Sequence, residues 1–316
     1  MFRVLRLLSD ISVHVLSCFV PSTSKNRICS SVQHKLFHHD RPNQVRAEAC
    51  GQEGLDHWRL GRQAHVVPKT STIHLTQNVG IGFGVAEALI ENGAHVIISS
   101  SSQARVDKAI GEIQKAYPKS GKNVSGYAYD MGTQSTLENN VSELLEKCGQ
   151  LDHIVWTAGD ALATIPISEM TLDQAIKAGM VRYYGPLMIG KYGPKYLKKS
   201  PESSITFTTG SVSEKPLPGW AAVNGMATAL HGLTRGFALD LKPIRVNLIS
   251  PGAVETELWA GMPPDQRQAR FKAFEEHSLT GRMGQVVDVA ESFLYVIKDR
   301  NVTGSVVSTN SGALLV

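Results

Sequence analysis

The sequence predicts a single α/β domain, doubly wound on a parallel sheet, and three observations carry that expectation. From about residue 70, short β-branched runs take turns with amphipathic helical runs. A helical stretch separates every consecutive pair of strand runs, so the connections are right-handed crossovers and not hairpins. No internal repeat or low-complexity run interrupts the pattern, which argues for one domain over two.

The strands are read in order at TIHL (72–75), HVIISS (95–100), GYAYD (126–130), DHIVWTA (152–158), SITFTT (204–209), IRVNLIS (244–250) and SVVSTN (305–310). Each is a short run rich in β-branched or aromatic residues. Helices are expected near 82–92, 103–117, 134–147, 171–198, 221–240, 263–276 and 286–297. Gly80 and Gly82 end a turn after the first strand and open the first helix. A serine of SSSSQAR (99–105) caps the second helix. Pro251 and Gly252 turn the chain after the sixth strand.

Residues 1–64 lack such a pattern and are read as an unstructured or targeting extension ahead of a domain at 65–316. The apolar stretch from Val4 to Val20 is broken by Arg6, Asp10 and His14, too polar to span a membrane. An Arg-bearing, acid-poor start is compatible with a mitochondrial presequence. A plain extension or a misplaced gene start is the preferred alternative, and a cytoplasmic location goes with it.

Composition narrows the function classes. Apolar residues make up 42% of the 316, enough for a large core. The net charge of +4 sits entirely in residues 1–64, which hold nine Lys/Arg against five Asp/Glu and leave 23 of each sign from the totals of 32 and 28. A neutral domain argues against nucleic-acid binding. Cys18, Cys29, Cys50 and Cys148 show no metal-ligand spacing, no metal site is expected, and a reducing compartment fits better than a disulfide framework. A homo-oligomer is left open.

Four motifs carry chemistry. In VGIGFGVAEALIENGAHVII (79–98), Gly80, Ile81 and Gly82 form a strand-to-helix turn whose backbone can approach a pyrophosphate at a helix N-terminus. Alone this G-x-G is weak, since a tight turn has the same spacing. Past the second strand, where an NAD site places an acid, stand Ser100, Ser101 and Ser102, with Arg105 beyond. Hydroxyls and a guanidinium suit a 2′-phosphate, so NADP(H) is expected. A polar turn into a helix is the ordinary alternative. Third come Asp130 in YDMG and the small-residue strand end WTAGD (156–160). Fourth is IRVNLISPGAVET (244–256).

Together these segments resemble the short-chain dehydrogenase/reductase superfamily over roughly residues 72–312. They match its TGxxxGxG turn, its NNAG segment, its IRVNxxxPGxxxT segment and, in VTGSVVSTNSG (302–312), its closing TGxxxxxDGG strand. The resemblance implies a Rossmann domain binding a nicotinamide cofactor. It assigns adenine to Asp130, ribose packing to Ala158 and Gly159, and the nicotinamide carboxamide to the segment with Pro251, Gly252, Val254 and Thr256. The sequence departs from the pattern at Thr76, Trp156 or Thr157, and Asn310, where the family has Gly, Asn and Asp.

The departures gather where the resemblance places catalysis. The family's Ser, Tyr and Lys fall on Gly210, Val223 and Ala227, and its Asn on Arg182. Thr209 or Ser211 is near enough to substitute for the serine. Valine trades no protons, so the expected chemistry is one that needs none from that side chain, such as hydride addition to an iminium ion, or none at all. Tyr183 and Tyr184 are read as helix packing. Arg182 is read as an anion- or carbonyl-binding group near the nicotinamide, with a helix-face salt bridge as the alternative.

TTG (208–210), PLPGW (216–220) and LTRGFALDLKPIRVN (233–247) further resemble a divergent group that lacks Tyr-x-x-x-Lys and includes fungal alkaloid reductases that double as Diels–Alderases. That resemblance implies pocket roles for Arg182 and Trp220, a secondary-metabolite setting, and an aspartate where this chain has Leu217. The expected function is an NADP(H)-dependent reductase of a small apolar substrate. A cofactor-bound isomerase or cyclase and a redox-silent nucleotide-binding protein are the rivals. Trp259, Met262, Phe271 and Phe274 are placed in the substrate-side loop.

Overall fold

A computed structural model describes residues 71–75 and 80–316. The extension at 1–64 with its three cysteines, and the departure at Thr76, lie outside the described residues.

Seven parallel strands form one sheet in the order β3-β2-β1-β4-β5-β6-β7. They are β1 (Ser71–Leu75), β2 (His95–Ser100), β3 (Val124–Ala128), β4 (His153–Trp156), β5 (Ser204–Thr208), β6 (Arg245–Pro251) and β7 (Val306–Thr309). All residues of β4 and of β6 are buried, as expected of central strands covered on both faces. The strand order reverses between β1 and β4. In sheets of this kind ligands bind at that switch point, beyond the strands' carboxyl ends.

Helices cover both faces. α1 (Ile81–Glu91), α2 (Gln103–Ala116) and α8 (Val286–Lys298) close one core around Leu89, Ile98, Ile113 and Phe293. α3 (Gln134–Cys148), α5 (Gly185–Tyr192) and α6 (Ala221–Asp240) close the other around Leu144, Trp156, Phe207 and Leu230. α7 (Pro264–Glu276) buries none of its residues. Close helix contact depends on missing side chains: a Cβ on Gly84 of α1 would stand 2.2 Å from Cγ1 of Val286 on α8. At the far end of the sheet Arg245, 2% exposed, donates to the carbonyls of Val296 and Ile297 and so closes the last turn of α8.

Three boundaries depart from the sequence reading. β4, expected to run to Ala158, stops at Trp156. β3 starts at Val124 and stops at Ala128, so Tyr129 and Asp130 lie beyond its end. The helix expected over 171–198 is in pieces: α4 (Leu172–Gly179), a wide π-type turn (Met180–Tyr184), α5, and a short tight turn (Gly193–Lys195). Thr171 and Gln174 start α4 with a reciprocal capping box. The break has a local cause. Pro186 has no N–H to give the Arg182 carbonyl, and the Gly185 N–H reaches back to Met180 instead. It also has a tertiary cause. The Trp156 indole N–H donates to the Val181 carbonyl at 3.1 Å, and the ring lies so close that a Cβ on Gly185 would be 2.3 Å from its Cζ2.

Candidate active site

A cavity of about 710 Å³ opens beyond the carboxyl ends of β4, β5 and β6. At one end, Gly80, Ile81 and Gly82 form its wall where α1 begins. No side chain caps α1, and its first amides have no acceptors within the helix, which suits an anion. Ala158 and Gly159, following β4, and Pro251, Gly252, Val254 and Thr256, following β6, line the same cavity. Gly252 is required there: a Cβ would lie 2.8 Å from the Cα of Asn310, so the β6 corner rests on the backbone after β7. The Val254 carbonyl accepts the Trp259 indole N–H at 2.9 Å, tying this corner to the substrate-side loop.

The residues expected to read the adenosine end stand apart from that wall. Ser100 is 6% exposed, and its Oγ is buried without a hydrogen-bond partner. Ser101 and Ser102 are exposed at the start of α2, where Arg105 donates to Ser101 Oγ at 3.1 Å. Asp130 accepts the Gly132 N–H at 3.0 Å and the Thr133 hydroxyl at 2.9 Å, so its carboxylate also shapes its own loop.

The opposite wall is α6. Val223, Met226, Ala227 and Leu230 face the cavity from this helix, and Leu217 and Trp220 line it just ahead. None of these side chains titrates. Thr209 donates its hydroxyl to the Ala227 carbonyl at 2.8 Å and is thereby committed to the helix; Ser211 lines the cavity. Tyr183 and Tyr184 are not wall residues: their rings meet edge-on at 5.3 Å, and Tyr184 packs into the second core. Trp259 and Phe274 line the cavity. Phe271 contacts Trp259 edge-on, and Met262 is not part of the wall.

Arg182 reaches the cavity from the π-type turn. Its Nε stands 3.4 Å from Asp160 Oδ1, and its Nη2 donates to the Asp160 main-chain carbonyl. Gly159 lies flat beneath it; a Cβ there would be within 2.8–3.0 Å of the guanidinium atoms. Burial drives the Arg182 pKa down, opposed by the charge of Asp160. Burial raises the Asp160 pKa, opposed by Arg182. The salt bridge foreseen as the alternative for Arg182 is therefore present, and its arginine also lines the cavity. Asp160 was not singled out from the sequence, although it directly follows Ala158 and Gly159 in WTAGD. Met226 and Leu230 were also missed; their spacing from Val223 along a helix was the available signal.

Residues 63–316 match a family model described as an SDR-like Rossmann domain. The chain belongs to the short-chain dehydrogenase/reductase family. The short-chain dehydrogenase/reductase fsr5 of Gibberella fujikuroi is 37% identical over 264 residues, covering 81% of this chain and 98% of its own. The short-chain dehydrogenase/reductase malC of Malbranchea aurantiaca is 37% identical over 241 residues, 75% of this chain and 91% of its own. The solved MalC reductase/Diels–Alderase superposes with a TM-score of 0.75 at 35% identity, covering 79% of this chain and 98% of MalC. A small-chain dehydrogenase solved with NADPH gives 0.63 at 28% identity, covering 78% of this chain and all of that one. The family is one of oxidoreductases that bind nicotinamide cofactors, so the Rossmann expectation is met. Among the described residues no helix is long and apolar enough to cross a membrane.

Proposed function

We propose that the chain is an NADP(H)-dependent reductase that adds hydride to an imine, iminium or carbonyl carbon of a small apolar substrate in secondary-metabolite biosynthesis, and does so without a proton donor at position 223. The unit that carries this function is assigned to residues 65–316. The observation that supports it is the content of one cavity: an anion-accepting turn at Gly80–Gly82 at one end, and the non-titratable face of α6 with Arg182 at the other.

The residues present fit the cofactor. The buried, unpartnered Oγ of Ser100, with Ser101, Ser102 and Arg105 beside it, offers donors suited to a 2′-phosphate. Gly80, Ile81 and Gly82 would take the pyrophosphate. Asp130, Ala158 and Gly159 would flank adenine and ribose, and Pro251, Gly252, Val254 and Thr256 the carboxamide. When bound, the cofactor supplies hydride. The α6 wall gives or takes no proton, so an imine nitrogen or a carbonyl oxygen takes its proton from water entering the cavity, whereas an iminium ion needs none. Arg182 holds a carbonyl oxygen or an anionic group, and Trp220 gives the pocket a flat side. An iminium carbon needs no proton on accepting hydride, which is why this electrophile suits a wall without an acid.

The relatives support NADP(H), since one structure at 28% identity was solved with NADPH. The likeness to MalC, a reductase/Diels–Alderase, favours a second reading, a cyclase that uses the same pocket. Leu217 in the cavity wall, where the resemblance implies an aspartate, weighs against it.

Fluorescence titration with NADPH and NADH, followed by turnover on a panel of imines, iminium ions and ketones, tests the reading. NADPH is expected to bind more tightly, and Arg105→Ala to weaken NADPH by about 1–3 kcal/mol while barely touching NADH. Arg182→Ala is expected to lower turnover more than NADPH binding. Equal affinities refute the cofactor choice. Binding of NADPH with no substrate of the panel reduced moves the reading to a redox-silent protein.

A further inference from the structure

The Arg182 guanidinium is seated by three consecutive residues from the end of β4. Ala158 continues the cavity wall, Gly159 supplies a flat floor without a Cβ, and Asp160 takes two of the three guanidinium nitrogens, Nε through its carboxylate and Nη2 through its carbonyl. The third nitrogen, Nη1, is not engaged by Asp160. We propose that Asp160 is the positioning residue of Arg182: it grips the back edge of the guanidinium, holds the charge at the cavity wall, and aims Nη1 at the reacting group of the substrate.

Three physical arguments support this. An arginine has several rotatable bonds, so a single wall contact leaves its head mobile, whereas two contacts on one edge fix a planar fork in one orientation. A lone guanidinium in a desolvated wall is costly, and a carboxylate 3.4 Å away offsets that cost. Finally, Asp160 Oδ1 and Arg182 Nε are both buried and neither forms a hydrogen bond of its own, and Asp160 is the charge that opposes the desolvation of Arg182. The alternative is that Asp160 merely stabilises the loop after β4. The inference rests on the reductase reading for its catalytic consequence but not for the pairing itself.

The test therefore has one arm that needs no turnover. In the full-length protein with ¹⁵N-labelled arginine, a protected Nε–H signal absent from Arg182→Ala identifies Arg182. It is expected to broaden or vanish in Asp160→Asn and to return in Asp160→Glu. The second arm is kinetic. Asp160→Asn is expected to lower turnover about tenfold with the Kd for NADPH changed less than about twofold, and to lower it less than about twofold further when Arg182 is already alanine. An unchanged Nε–H signal in Asp160→Asn overturns the pairing. An equal loss of turnover from Asp160→Asn with and without Arg182 overturns the positioning role. If the wild-type chain reduces nothing, the reductase reading falls, and the Nε–H signal still decides whether Asp160 holds Arg182.

Discussion

Trp156 or Thr157 stands where the family resemblance expects an asparagine, and replacing Trp156 tests how the site is held. The residue is 1% exposed. Its indole N–H donates to the Val181 carbonyl, one residue before Arg182, while its ring fills the space above Gly185. Trp156→Phe removes the donor and part of the ring. Leaving a largely enclosed carbonyl without a partner costs about 1–2 kcal/mol, and the void adds about 1 kcal/mol. A total of ~2–3 kcal/mol in a domain of this size lowers Tm by roughly 4–12 °C. Differential scanning calorimetry and urea titration measure it, with m expected to stay constant. Because the Val181 carbonyl belongs to the turn that carries Arg182, turnover is expected to fall further than the population of folded protein explains, while NADPH binding changes little. A Trp156→Phe chain with wild-type Tm would refute the claim that the indole holds the turn. A lower Tm with unchanged turnover would refute the link to Arg182.

Two further outcomes follow from the geometry. Gly252→Ala is expected to destabilise by ~1–3 kcal/mol, as overpacking does, and to weaken cofactor binding together with Tm, since the new Cβ would meet the Asn310 backbone 2.8 Å away; titration of the variant at a temperature where it is folded checks this. His153 is buried against Ser204, and burial, then the charge of Arg245, pull its pKa down to about 4 from an ordinary 6.5. The unfolded chain therefore binds the extra proton first, so this stability is full above pH 6.5 and is lost as pH falls towards 4. The difference amounts to about 3 kcal/mol, and His153→Asn is expected to flatten that part of a urea-midpoint profile against pH.

The fold was legible in the sequence because its signals are local. The seven strand runs fall on the seven strands, and the helix expected over 221–240 has those same bounds, since periodicity and turn residues act within a few positions. The broken helix was not foreseen. Gly185 and Pro186 were visible, but the ring that fixes the break comes from Trp156, a strand away. That Gly80, Gly82 and the PGAVET segment would line one cavity was readable, because the resemblance covers contiguous stretches. The partner of Arg182 was not, since Asp160 lies 22 residues earlier and only the fold brings the two together. Which serine turns inward was equally hidden: Ser100 is buried and Ser101 exposed, a distinction set by where β2 ends.

The wall formed at positions 210, 223 and 227 also bears on what the scaffold can accept. Position 210 still has room for a side chain, since an added Cβ would meet nothing nearer than the Pro251 carbonyl at 3.8 Å, and Val223 and Ala227 still face the cavity. The scaffold thus has room at 210, and a serine could be introduced there without moving the main chain. A lysine at 227 is more constrained. Ala227→Lys would put a further cation into a cavity already lined by Arg182, Lys215, Arg270 and Arg282, and like charges oppose one another. A lysine placed there would face the summed repulsion of the whole lining and not that of Arg182 alone.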